Sequence, residues 1–398
     1  MLTDLKVIDA ASYVAGPTAA TVLGDFGANI IKIEPLTGDG YRRLAARYRT
    51  DYNWLLTSRN KRSIAMDISQ AEAQEVLLRL LDDADILLVN FNSAQLKKYR
   101  LQYEDLKKRN PRLIFAHMTG YGTRGPEANR RAFDTAAWWA RSGIMDMMKP
   151  FGGPPTNGVG GVGDNASAMT LFGAIMMALY RREKTGEGSY VATSLAANGA
   201  WSNSMHIQAA IAGFDLSVIL DEKGYRSPFF NTYKTRDNRY IVLVGPNPQR
   251  EWPRICKALG NEQWITDVRF PDMTAVMKQR DIVRQMFAEV FENRNLVELV
   301  RGLDEADVTY SVVEKLADVV QDAQLIENDI IVKTSSDDPD FQWTVSSPIE
   351  VGGFKKRNIN RAPDIGQHTR EILLEEGFSD DAVDKLVQLG VIREMTNN

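Results

Sequence analysis

Ile86-Leu87-Leu88-Val89 form an unbroken apolar run between Asp85 and Asn90. A run so short and so uniformly apolar fits a strand covered on both faces, the usual state of strands in parallel sheets flanked by helices. Neighbouring segments repeat the theme. Lys6–Ala10, Ile30–Ile33, Ser63–Ile68 and Leu113–Ala116 read as strands, and Pro17–Phe26 and Ala71–Asp82 as helices. In the second helix Val76, Leu77, Leu80 and Leu81 share one face. The alternation predicts an α/β fold with a Rossmann-like large domain and a mostly parallel sheet. No GxGxxG follows the first strand; Ala15-Gly16-Pro17 stands there, which argues against a classical dinucleotide site.

Further on, a helix from about Asn165 to Arg182 is apolar nearly all round, which predicts deep burial. Lys184–Gly188 reads as a turn, Tyr190–Thr193 as a strand, Leu195–Ala212 as one long helix and Phe214–Arg226 as a linker. Two strands around the polar turn Thr235–Arg239 and helices at Pro248–Leu259, Lys278–Glu292 and Asn295–Ala306 predict a smaller α+β domain. The expected division is 1–200 for the large domain, 201–225 as linker, 226–320 for the small domain, and 321–398 returning to the large one. Thr369–Leu389 reads as two helices broken at Gly377-Phe378-Ser379.

Net charge is −4, with acids and bases interspersed, and no basic stripe marks a nucleic-acid surface. Cys256 is the single cysteine and reads as a buried, inert thiol. His117, His206 and His368 are far apart, so no metal-ligand spacing appears. The N-terminus has no signal-peptide pattern, and Met169–Tyr180 is shorter than the ~20 residues a bilayer span takes. The expectation is a cytoplasmic protein with no membrane and no nucleic-acid partner.

Asp164 sits in Val159-Gly160-Gly161-Val162-Gly163-Asp164-Asn165, just before the most apolar stretch. Flanking glycines let the backbone turn and leave the side chain open to close approach. A helix start favours an ionised carboxylate. Two readings follow: an N-cap, or an exposed reactive group.

Ala15-Gly16-Pro17, Gly27–Glu34, Asn60–Ile64 with Asp67, Ala84–Phe91, Asn110–Ile114, Gly120-Tyr121-Gly122, Gly125-Pro126, Phe133-Asp134, Gly163-Asp164, Lys184–Gly188, Ala362-Pro363 and Gly366–Thr369 occur in this order and spacing. Together they resemble the class III CoA-transferases, the family named after carnitine-CoA and formyl-CoA transferases. Gly120–Gly143 looks most like the branch acting on 2-hydroxy acids, the phenyllactate and 2-hydroxyisocaproate CoA-transferases.

The resemblance implies that Asp164 attacks an acyl-CoA thioester, becomes a mixed anhydride and then an aspartyl-CoA thioester, from which an acceptor acid collects CoA. It implies CoA as substrate and product rather than a tightly bound cofactor. It also implies an interlocked homodimer of ring-like subunits, acting on an acyl-CoA and a carboxylic acid. It places Ser12, Tyr13, Ala15, Met66, Asn90, Phe91, Lys98 and Arg131 on the CoA side, and Val14, Phe133, Asp134, Trp138, Gly245 and Asn247 on the substrate side.

Bland readings stand beside these. Tyr13 and Trp138 read equally as core, Asn90 as a cap, Lys98 and Arg131 as solvated charges, and Gly245–Pro248 as a strand-to-helix turn. Asp134 reads as a substrate-orienting or acid/base group, or as a cap or ion-pair partner. His368 reads as a helix-start element. The formyl-CoA branch has Gln where Val14 stands, so small dicarboxylates are disfavoured. The same-fold α-methylacyl-CoA racemases have His where Phe133 stands, and a phenyl ring moves no proton. A non-catalytic CoA-binding protein would not need an exposed carboxylate in a glycine turn.

Overall fold

The computed structural model describes residues 1–44, 50–150, 152–216 and 227–395. Residues 217–226, part of the segment Phe214–Arg226 read as a linker, lie outside them. The chain divides into two compact units, Met1–Phe214 with Gln324–Asn398, and Asp215–Ala323.

The first unit is built on a seven-stranded sheet. Its strands are β1 Lys6–Asp9, β2 Asn29–Glu34, β3 Lys61–Met66, β4 Ile86–Val89, β5 Ile114–Thr119, β6 Tyr190–Ser194 and, from the C-terminus, Ile392–Arg393. The C-terminal strand lies antiparallel beside β3; the spatial order then runs β2, β1, β4, β5, β6, all parallel. The apolar run of β4 is buried at every residue, as a two-sided strand requires. One face packs Val7, Ile30, Leu88 and Ala116 against the first helix, Ala15–Asp25, and the long helix, Val162–Thr185. The other packs Ile8, Ile31, Ile64, Leu87 and Phe115 under the helices Ala71–Leu81 and Thr369–Glu375. Chain order reverses between β1 and β4, and at such a switch point ligands bind beyond the carboxyl ends of the strands. The turns after β1, β4 and β5 meet there.

Buried charge fixes the turn after β1. Asp9, Lys32 and Lys61 are at most 4% exposed. Lys61 Nζ lies 2.9 Å from Asp9 Oδ2 and donates to the Pro17 carbonyl at 2.7 Å. Lys32 Nζ lies 3.1 Å from Asp39 Oδ2 and also donates to the Ala11 carbonyl. Asp39 Oδ1 in turn accepts from the backbone N–H of Tyr13 at 3.3 Å. Tyr13 has φ 68°, a left-handed conformation that costs a non-glycine residue energy, and it needs such outside support. Burial pushes the Lys61 pKa down to about 8 against the pull of Asp9. On Lys32 burial opposes the charge, but Asp9, Asp39 and Glu34 outweigh it and raise the pKa.

Four expectations are corrected. The long helix begins at Val162, with Gly161 as N-cap at φ +83°, so Asp164 lies inside the first turn and is not the cap. That helix is not buried all round: Met177 is 75% and Tyr180 68% exposed. At 24 residues, with mean hydropathy 1.3 in its most apolar window, it also has the length and composition of a membrane span, contrary to the shorter stretch read from sequence. It nevertheless lines the sheet core through Ala168, Leu171 and Ile175. Finally, the expected helix Leu195–Ala212 breaks at Asn203 into Leu195–Ser202 and Ser204–Ile211. There Asn203 donates its amide to the Ser142 carbonyl at 2.9 Å, a tertiary bond that periodicity does not show.

The second unit has an antiparallel sheet of Phe230–Lys234, Tyr240–Val244 and Tyr310–Val312. It is covered by helices including Pro248–Ala258, Arg280–Glu292 and Leu296–Glu305, around a core holding Cys256, Phe287 and Phe291. The Cys256 thiol is pushed up to about 12 by burial, consistent with an inert thiol.

Asp9→Ala takes the close carboxylate from the buried Lys61 ammonium and the more distant one, at 3.9 Å, from Lys32, which keeps Asp39. The expected loss is about 3–5 kcal/mol of unfolding free energy by urea denaturation. A loss under about 1 kcal/mol, the scale of an exposed pair, would contradict the cluster's role.

Candidate active site

The sequence at 158–164 folds as it does because two of its four glycines, Gly158 and Gly163, lie against other chain. A Cβ at Gly158 would collide with the Trp139 ring, and one at Gly163 with Trp138 and Asp134 Oδ1. The two tryptophans belong to a π-helical turn, Thr135–Ala140, and both are buried. Tight glycine contact thus presses the start of the long helix onto this turn. Trp138 is 6% exposed and packs in the core, the bland reading given above.

Asp134, 5% exposed, faces the same helix start. Its Oδ2 accepts from the Gly161 N–H at 2.7 Å, and the Gly163 N–H also stabilises its charge. Asp134 therefore satisfies from outside the backbone donors that a helix start leaves open. Burial outweighs these bonds and raises its pKa.

Asp164 sits three residues after the N-cap, half-buried, and makes no side-chain hydrogen bond among the described residues. Burial, and then the Asp134 charge, push its pKa up to about 7. Its carboxylate thus has its lone pairs free and sits at the edge of ionisation near neutral pH, as a functional group does more often than a structural one.

Asp164 lines a cavity of ≈ 360 Å³. Ser12, Tyr13, Val14, Ala15, Asn90, Phe91, Arg131 and Phe133 line it too, so these expected site residues converge with Asp164. The Asn90 amide binds Ser12 both ways, accepting from its N–H at 3.1 Å and donating to its carbonyl at 2.9 Å, which ties the turns after β1 and β4 together. The Tyr13 and Phe133 rings meet edge to face at 5.3 Å.

Other expected residues fall elsewhere. Met66, 1% exposed, is core at the end of β3. Lys98 is exposed, its ammonium 5.5 Å from the Tyr99 ring. Gly245 and Asn247 belong to the second unit, where Asn247 caps the helix Pro248–Ala258 by accepting from the Arg250 N–H at 3.3 Å. This is the strand-to-helix turn. His368 is the N-cap position of Thr369–Glu375, and its Nδ1 accepts from the Ser63 N–H at 3.2 Å.

Sequence reasoning missed several residues here. Met118, Thr119 and Leu195 line the cavity from the ends of β5 and β6. The Tyr41 hydroxyl is pushed up to about 12 by burial and by the charge of Asp164, so it lies within that carboxylate's field. The strand ends carried a signal, since ligands gather at the carboxyl edge of a parallel sheet. Tyr41 carried none.

Two measurements check the Asp164 environment. A carboxyl whose folded pKa is raised destabilises the fold once it must ionise, so the penalty is full above about pH 7 and absent near pH 4. Asp164→Asn is expected to raise the melting temperature at pH 8 and leave it unchanged near pH 4. Asp134→Asn removes the neighbouring charge and should lower the Asp164 pKa seen by carboxyl ¹³C NMR, with burial keeping it above the ordinary range. An unshifted pKa would show that the two carboxylates do not interact.

The chain is similar over nearly its whole length to known proteins. The chain is 29% identical over 399 residues to the (R)-2-hydroxy-4-methylpentanoate CoA-transferase of Clostridioides difficile, covering 99% of this chain and 100% of that protein. It is also 29% identical to the cinnamoyl-CoA:phenyllactate CoA-transferase of Clostridium sporogenes, covering 97% and 96%. Among solved structures it resembles a CAIB/BAIF family protein from Brucella suis, with TM-score 0.83, 25% identity, and coverage of 94% of this chain and 99% of that one. With residues 2–369 matching CoA-transferase family III, the chain belongs to that family.

Proposed function

We propose that this protein moves CoA from an acyl-CoA thioester to a carboxylic acid, with Asp164 as the covalent carrier. The observation that carries the reading is a carboxylate with no side-chain hydrogen bond among the described residues, its pKa raised to about 7, in the wall of a cavity at the sheet's switch point.

In this scheme the ionised Asp164 attacks the thioester carbon. The C–S bond breaks, CoA leaves as thiolate, and a mixed anhydride remains. The thiolate then attacks the aspartyl carbon and releases the donor acid as its carboxylate. The acceptor carboxylate attacks the aspartyl thioester, freeing thiolate again. Thiolate attack on the acceptor's acyl carbon yields the new acyl-CoA and restores Asp164. No net proton is consumed. Binding gives a weak nucleophile its effective concentration. Raising its pKa also brings its basicity closer to that of the thiolate it displaces.

The acid carried is proposed to be a 2-hydroxy acid or a related acid with a branched or aromatic side chain. Val14, Tyr13, Phe133, Met118 and Leu195 give the cavity apolar walls that suit such a side chain and would leave a second carboxylate poorly solvated. The named activities of the two bacterial relatives point the same way. CoA is proposed as substrate and product only. The functional unit is proposed to be an interlocked homodimer, supported by the exposed apolar side chains of Trp201, Met205, Ile211 and Phe214. The compartment is proposed to be cytoplasmic, in keeping with a lone free thiol.

A panel of acyl-CoA donors against carboxylate acceptors, read by mass spectrometry, tests the reading. Exchange is expected with 4-methylpentanoyl-CoA or cinnamoyl-CoA donors and their 2-hydroxy acids, and weak exchange with oxalate. kcat/KM should rise with pH to a plateau above about 7, since the carboxylate must be ionised. Asp164→Asn is expected to lose at least about 10³-fold in kcat. α-Proton exchange with deuterium and no CoA transfer would replace this reading by a racemase.

A further inference from the structure

We propose that His117 and Tyr190 are positioning residues for the CoA moiety, acting by fixing the carbonyl of Phe91 and with it the turn Asn90–Asn92. The inference rests on the reading that CoA enters the Asp164 cavity, of which Asn90, Phe91 and Asn92 form one wall. Neither His117 nor Tyr190 lines that cavity, so the pair works through Phe91.

His117, 4% exposed, lies on β5 opposite Val89, the last residue of β4. The chain leaves the sheet there, and the next carbonyls lose their ladder partners. His117 Nε2 stands 2.8 Å from the Phe91 carbonyl oxygen, and its Nδ1 stands 2.8 Å from the Tyr190 hydroxyl. A carbonyl only accepts, so Nε2 carries the proton. In the neutral ring Nδ1 is then the acceptor, and Tyr190 donates to it. Burial lowers the His117 pKa and so favours this neutral form. The relay therefore runs in one direction, from the Tyr190 O–H to Nδ1, and from Nε2–H to the Phe91 carbonyl.

The donor end is itself held. Tyr190 stacks on Phe115, centroids 5.5 Å apart at 17°, and meets Tyr103 at 5.6 Å. The 90–92 turn is thus gripped from two sides, by Ser12 through Asn90 and by His117 through Phe91. A turn held in its bound shape before the ligand arrives costs less ordering on binding. The pair should therefore act on affinity for CoA and leave the acyl-transfer steps at Asp164 alone.

The test combines calorimetric binding of free CoA to the full-length protein with kcat and KM for the acyl-CoA donor. Tyr190→Phe keeps the stacked ring and loses only the hydroxyl, so it carries the test even if a His117 variant folds poorly. Tyr190→Phe is expected to weaken CoA binding about threefold and His117→Phe about tenfold, the range of one or two hydrogen bonds. KM should rise in step, with kcat within about twofold. His117→Gln places an amide N–H near the Nε2 position and should recover most of the loss. Unchanged CoA affinity in Tyr190→Phe and His117→Phe would overturn the proposal, as would a fall in kcat at constant KM. If the unaltered protein binds no CoA, the underlying reading of the cavity fails first, and that outcome is distinct from both.

Discussion

Two lysines with no exposed side-chain surface, Lys32 within β2 and Lys61 at the start of β3, have Asp9 and Asp39 around them. Charges removed from water are tolerated only when their partners are close and fully engaged. Here each ammonium also donates to a main-chain carbonyl of the turn after β1, at Ala11 and at Pro17. The cluster is therefore more than packing: it specifies the path of residues 11–17. Tyr13 in its left-handed conformation, Val14 at the start of the first helix and Ala15 all reach the cavity because that path is fixed.

A second constraint operates at the start of the long helix. A helix N-terminus attracts one carboxylate easily, and two carboxylates meet there. Asp134 takes the structural task by accepting from Gly161, while Asp164 is left with no hydrogen bond among the described residues. Burial, and then the neighbour's charge, raise the Asp164 pKa. One residue supplies the fold and the other keeps its chemistry, and Asp134 Oδ1, with the Trp138 ring, is what a Cβ at Gly163 would strike.

Legibility from sequence followed how local each determinant was. The strand Ile86–Val89 was readable to the residue because two-sided burial leaves only apolar side chains. Asp164 was readable as a candidate because glycines and an apolar helix flank it, and the family pattern then supplied a role. Its position inside the helix rather than at the cap was not readable, because the capping group, Asp134, lies 27 residues before the Gly161 N–H it accepts from. The break at Asn203 and the burial of Met66 were hidden for the same reason: each depends on a tertiary neighbour, Ser142 in one case and Ile392 in the other. Tyr41 and the His117–Tyr190 pair were likewise invisible, since nothing in their local sequence distinguishes them from ordinary core or loop residues.

The central claim is that Asp164 itself becomes acylated during turnover. Incubation with an acyl-CoA donor, rapid borohydride quench and peptide mass spectrometry test it most directly. The account predicts reduction of the activated aspartyl group to homoserine at position 164, dependent on the acyl-CoA. An unmodified Asp164 in enzyme shown to be turning over would contradict it.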